Sequence, residues 1–305
     1  MAGKKRRCAR PGYATMIPAR QLLRAFLLFW CVAFCTAASA QNTLWQVRSE
    51  TATMYLLGSV HLLRHSDFPL DPALDAAYDR TDLLVLELDL NAADPIETQA
   101  LISRIGRISN GDLEDWMGAI DYRRAHELAA DMEVDLDRLR ALKPWLAAIT
   151  ILQLQLARLG FSPDLGIDFY FAGRAKSDGK PVLGLETMEF QLEQFDSLSQ
   201  QQQSEFLLQS LEEAEDIPGD IEAMVKAWKS GDAAALSGVL EDGFTGYPEL
   251  YERLVKNRNS NWLPHLLELL NGDKDVLVVV GALHLVGTGS VIEMLEQRGF
   301  AAQQL

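Results

Sequence analysis

The sequence predicts an α/β protein with a central mixed sheet, pseudo-symmetric halves and long helical insertions. Three observations predict it. Apolar runs of strand length recur at Met54–Leu57, Leu83–Leu86, Val182–Leu185 and Asp275–Val280. Long stretches with apolar residues at helical spacing separate them, several opened by Asp-Pro or by proline alone. Two of the runs lead into the same pattern, Gly-x-x-His, at Gly58–His61 and Gly281–His284.

In chain order, Thr51–Leu57 reads as a strand that ends at Gly58. Asp71-Pro72 opens a helix to about Tyr78, because Asp accepts from the free first-turn amides and Pro has none to waste. Leu83–Leu86 is a buried strand followed by Glu87. Asp94-Pro95 opens a helical region that reaches Gly160 and includes Ala119–Ala130 and Trp145–Leu159, the latter just after Pro144. Asp168–Ala175 is a short helix, and Gly179-Lys180-Pro181 is a turn into the strand Val182–Leu185, which ends at Glu186. Residues 187–271 are mostly helical, Asp275–Val280 is the strongest strand, Ser290–Arg298 the last helix, and Ala301–Leu305 a short edge strand. No linker composition divides residues 41–305, so they form one domain.

Residues 1–40 differ in kind. They hold seven bases and no acid, then an apolar run, then Ala38-Ser39-Ala40. That order describes a secretory signal peptide cut before Gln41, with Met16 as an alternative start. A lipoprotein signal is the rival, although Trp30 and Phe34 fit poorly before Cys31 and Cys35. The expected location is the periplasm or the outside of the cell, with the membrane reached only through an uncleaved leader. All three cysteines leave with the leader, so thiolate chemistry and disulfides are excluded from the domain. Removing seven bases leaves 21 Lys and Arg against 43 Asp and Glu, a net of −22. Such a charge repels nucleic acid and anionic headgroups and tolerates metal ions, peptides and neutral small substrates.

The chemistry is expected at the strand ends, since open α/β sheets bind ligands beyond their carboxyl edges. Glycine permits close backbone approach there, and a histidine three residues on sits in the mouth of the site. Two such turns among only five histidines single out His61 and His284. Glu87 and Glu186 sit at two other strand ends, and burial would raise their pKa unless a cation pairs with them. The order His, Glu, Glu, His suggests two units facing across a pseudo-dyad. Asp89 reads as a supporting partner or a cap, and Asp168 as a cap of its helix. Two histidines with one or two carboxylates suit a divalent metal such as Mn, Co or Zn, which would activate water or polarise a carbonyl while a free Glu takes the proton. The metal-free alternative is a His–Glu pair that activates water directly. Gly173–Lys180 has the wrong spacing for a phosphate loop, and Pro181 follows where Ser or Thr should stand.

An ordered series of short motifs adds a resemblance. Leu57–His61, Leu86–Leu88, Leu142-Lys143-Pro144-Trp145, Gly166-Ile167-Asp168, Gly184–Thr187 with Gln191, Arg258-Asn259 with Trp262, and Val280–Gly287 together resemble the TraB/GumN family over residues 42–305. That family is related to the Tiki metalloproteases, and more distantly to erythromycin-esterase-like and haem-binding ChaN-like proteins. The resemblance implies a peptidase centre with His61 and His284 as metal ligands, Glu87 as ligand or general base, and Glu186 as a fourth group. The esterase branch implies hydrolysis without a metal. A non-catalytic binder of a peptide, haem or metal is the other reading.

Overall fold

The computed structural model describes residues 42–245 and 247–305. The leader and the three cysteines lie outside the described residues. Among the described residues no helix is long and apolar enough to cross a membrane.

Six strands form one mixed sheet: β1 (Leu44–Arg48), β2 (Thr53–Ser59), β3 (Leu83–Leu86), β4 (Val182–Gly184), β5 (Val276–Gly281) and β6 (Ala302–Gln304). Their order across the sheet is β4-β3-β5-β2-β1-β6. The four strands β4, β3, β5 and β2 run parallel, whereas β1 is antiparallel to both β2 and β6. The central strands are Val-, Leu- and Met-rich because they are covered on both faces; every residue of β5 and Met54 to Ser59 of β2 is buried. Strand β1 escapes the sequence reading. It alternates weakly, with Trp45 among the buried residues and only Gln46 and Arg48 turned outward.

Strand β2 also continues through Gly58 to Ser59 rather than ending at the glycine. A side chain at Gly58 would meet Ala282 at 3.1 Å, so the glycine there serves the close approach of two chain segments, not a turn. The strand order does not by itself establish the expected pseudo-dyad. The two histidine strands β2 and β5 are adjacent and parallel, and the two glutamate strands β3 and β4 lie on one side of them. The four groups converge because four parallel strands end on the same edge.

The helices are α1 (Pro72–Asp79), α2 (Pro95–Gly106), α3 (Leu113–Met117), α4 (Ala119–Asp131), α5 (Pro144–Arg158), α6 (Ile167–Asp178), α7 (Met188–Asp196), α8 (Gln200–Glu212), α9 (Ile217–Ser230), α10 (Ala233–Asp242), α11 (Pro248–Tyr251), α12 (Asn257–Leu270) and α13 (Val291–Glu296). Asp71 and Asp94 cap α1 and α2 as their position before proline predicts: Asp71 accepts from the Ala73 amide, Asp94 from those of Ile96 and Glu97. The sheet packs on α1, α6, α9, α12 and α13 in one core. A second apolar cluster joins α3, α4, α5 and α8, which makes the helical insertion a small core of its own.

The Leu-Lys-Pro-Trp motif ties that insertion to the site. Lys143 Nζ and Trp145 Nε1 lie 2.6 and 3.0 Å from one oxygen of Asp196, the last residue of α7. Helix α7 carries Gln191, so this half-buried knot fixes a side chain that reaches the carboxyl edge of the sheet.

Candidate active site

His61 lies two residues beyond the end of β2. Its ring is 58% exposed, while its Nδ1 lies 2.8 Å from Asp168 Oδ2. The other Asp168 oxygen accepts from Ser59 Oγ at 3.0 Å. Asp168 was expected to cap its helix. Instead it is the second residue of α6, behind the cap Gly166, and its carboxylate faces the histidine. A carboxylate at a helix N-terminus is electrostatically favoured. An imidazole held at Nδ1 by a carboxylate presents Nε2 to the solvent side. The Asp168 charge raises the His61 pKa to about 9 against the opposing effect of burial. With the ring more than half exposed, the close carboxylate contact is what secures the direction of that shift.

The backbone around His61 is as crowded as its side chain is open. Gly166 has an ordinary φ of −63°, yet a Cβ there would stand 2.3 Å from the His61 carbonyl oxygen. Gly166→Ala therefore acts by sterics, not by strain. It is expected to push His61 out of register, costing about 1–3 kcal/mol of stability and roughly a hundredfold in turnover. Thermal melting and a kcat measurement check both.

Glu87 begins where β3 ends and is buried. Its Oε1 accepts from the Gly281 amide at 2.7 Å, and its Oε2 accepts from Arg258 Nη2 at 2.5 Å and Gln191 Nε2 at 3.0 Å. Burial pushes this carboxyl up, but the basic groups around it (His284, Arg258, His61) and the Gly281 amide outweigh burial and hold it at about 2. His284 is itself driven down to about 3, chiefly by burial. A neutral imidazole leaves Arg258 as the lasting cation beside Glu87.

Glu186 sits deeper, its side chain 4% exposed. It accepts from Arg258 Nε and Nη2 at 2.8–3.0 Å, from Trp262 Nε1 at 2.8 Å and from Gln191 Nε2 at 3.2 Å. His284 Nδ1 lies 2.6 Å from Asn259 Oδ1, an acceptor, so Nδ1 carries the proton and Nε2 the lone pair. That lone pair meets Arg258 Nη1 at 3.2 Å. The Trp262 ring backs both partners, 5.0 Å from the guanidinium carbon and 4.3 Å from the imidazole centroid. All of these arise from one helical face: Arg258, Asn259 and Trp262 lie in the first turns of α12, just after a π-helical turn over Glu252–Lys256. Such a turn re-aims the residues beyond it, and it recurs at functional sites.

In this arrangement most donors of the expected metal shell of His61, His284, Glu87 and Glu186 already have partners. Both oxygens of Glu186 are consumed by Arg258, Trp262 and Gln191. Both oxygens of Glu87 already accept strong donors, and the His284 lone pair faces a guanidinium. The centre where these groups converge holds a fixed organic cation. Among the described residues no cluster of three or more His, Cys, Asp or Glu side chains is arranged to hold a metal ion. The donor set does not fit Mn, Co or Zn as it stands, because a metal would have to displace a buried, fully bonded arginine. Of its two expected roles Asp89 takes the capping one; it accepts from the amides of Asn91 and Ala92 and closes a turn.

Of the sequence candidates, Glu87, His61 and His284 do converge. All three border the space above Gly281, whose missing Cβ would lie 3.2 Å from Glu87 Oε1, 3.3 Å from His61 Nε2 and 3.5 Å from His284 Cδ2. Asp168, Arg258, Asn259 and Gln191 complete the centre without having been assigned chemical roles from sequence. One signal pointed to Arg258: two buried strand-end acids require a cation.

The TraB/PrgY/gumN family model matches residues 43–304. Two relatives are each called "Uncharacterized protein YbaP", one from Escherichia coli (strain K12) and one from Shigella flexneri. Each is 26% identical over 243 residues, covering 79% of this chain and 87% of the relative. No solved structure matches.

Proposed function

The chain belongs to the TraB/PrgY/gumN family, and from that premise we propose that it is a hydrolase that cleaves a peptide or a similar small substrate without a metal ion. It would act in the periplasm or outside the cell, where the leader would send it. The observation that carries this reading is the Asp168–His61 pair: a histidine anchored at Nδ1 with its Nε2 open to a cleft and facing the Glu87 edge.

In the proposed reaction neutral His61 takes a proton from water through Nε2 as the oxygen attacks the scissile carbonyl carbon. The carbonyl π bond opens to an oxyanion. Collapse of the intermediate expels the amine or alkoxide, and the proton on His61 passes to that leaving group. Asp168 holds the ring and stabilises its charged form, as a carboxylate behind a base should. The Arg258–Glu87–Glu186 network holds the floor of the site rigid, and Glu87 stays ionised throughout the working range.

The sign of the His61 shift sets the pH dependence. A base with a pKa of about 9 is mostly protonated at neutrality, so kcat/KM should climb tenfold per pH unit up to about 9 and then level. Asp168→Asn removes the main cause of the shift and should move the plateau down toward 6.5, the ordinary histidine value. Cleavage of a peptide mixture, monitored by mass spectrometry with and without chelator, tests the whole reading. Cleavage unchanged by chelator is expected; strict dependence on added Mn would return the metal mechanism.

A second reading has one observation in its favour. His61 Nε2 lies in an apolar cleft, which also suits capture of a peptide or of haem without turnover. Intact peptide masses under every condition would favour it.

A further inference from the structure

Two apolar lobes meet at His61, and we infer that the substrate is a neutral amide or ester with an apolar group on each side of its scissile carbonyl. This rests on the hydrolase reading above and adds the chemical class of the substrate. The first lobe, about 440 Å³, passes Ser59 and Gly281 and is walled by Ile221, Met224, Phe244 and Leu254. The second, about 380 Å³, is walled by Leu88, Leu90, Phe169 and Met188. His61, Leu62 and Gln191 border both, so the open ring stands at the waist between them.

Charge settles what each lobe admits. The protein carries 43 acidic residues, yet among the described residues the only ionisable side chains on these walls are His61, Glu87, Asp168, Arg258 and His284, all members of the polar centre. Away from the waist the described residues offer a charged group only the neutral amides of Gln153 and Gln194 and no opposite charge, and burying a charge without one is costly. The walls are also incompletely covered. Phe169 is 45% exposed, and Leu62, Leu88, Leu90, Met188, Met224 and Phe244 are half-buried. A large aromatic left half open beside a reactive histidine gains when an apolar group covers it.

The test uses three blocked hexapeptides, acetyl-Ala-Ala-X-Y-Ala-Ala-amide, with X-Y as Leu-Leu, Asp-Leu or Leu-Asp. Each is offered to the wild type, to Met188→Lys and to Met224→Lys, with cleavage read by mass spectrometry. The wild type should cleave Leu-Leu about tenfold or more faster than either Asp peptide. Each lysine variant should rescue one Asp peptide, and the two variants should rescue opposite ones. A gain of cleavage cannot come from a misfolded variant. Equal cleavage of all three peptides by the wild type, or no rescue by either variant, overturns the inference while leaving the hydrolase reading intact. If nothing is cleaved, calorimetry with the wild type and the same peptides decides. Binding of Leu-Leu but not of the Asp peptides discards the hydrolase and keeps the two-lobed site; indifferent or absent binding discards the lobes as well.

Discussion

Replacing His61 with alanine should lower turnover by about a hundred- to ten-thousandfold, the span expected for loss of a positioned general base. Stability should barely change, by roughly 1 kcal/mol or less, because the ring is 58% exposed and exposed ion pairs contribute little. Asp168 would still have Ser59 Oγ and the start of α6 to satisfy it. That contrast separates the catalytic claim from a structural one: a residue lost from the core would lower both quantities together. Added imidazole should restore part of the rate in His61→Ala, since the open cleft can admit it. Asp168→Asn should cost less turnover than His61→Ala and should shift the pH profile down, whereas His61→Ala should abolish the limb that rises to about 9. Turnover within about threefold of wild type in His61→Ala, far short of the fall that loss of a general base brings, would remove the proposed mechanism.

The parts of this site that sequence made legible are those set by strand ends. His61, Glu87, Glu186 and His284 each come after an apolar run, and parallel strands deliver the residues beyond their carboxyl ends to one edge. The pattern could not say which neighbour each would find. Asp168 lies 107 positions from His61, and after Gly-Ile at a helix start an aspartate reads as a cap. Arg258 lies 171 positions from Glu87, in a long helical stretch that also holds Arg253 and Lys256, and spacing does not say which base turns inward. The spatial order of the strands was hidden for a related reason. Residue order along the chain records that each half has a His strand and a Glu strand, but pairing of β3 with β5 rather than with β2 is decided by packing. The metal expectation counted donors without counting the cation that already answers them.

Arg258→Met is the sharpest test of that last point. Removing one partner of a buried ion pair strands the other, and this substitution strands two carboxylates, Glu87 at 10% and Glu186 at 4% side-chain exposure. The expected loss is about 3–5 kcal/mol in urea unfolding at neutral pH. Methionine keeps apolar contact with Trp262 but supplies no positive charge. The vacated centre would then offer Glu87, Glu186 and the His284 lone pair with nothing between them, a set that suits a divalent ion. Calorimetry with Mn²⁺ should therefore show binding that the wild type lacks. Saturating Mn²⁺ should return part of the lost stability, because a ligand that binds only the folded state stabilises it by mass action. Glu186→Gln in the same background should weaken that binding. The opposite pattern, with one equivalent of Mn²⁺ held tightly by the wild type and lost in both His61→Ala and His284→Ala, would mean that the guanidinium yields its place to a metal. The metal-free base mechanism and the role of Arg258 as the fixed cation of the centre would then both fall.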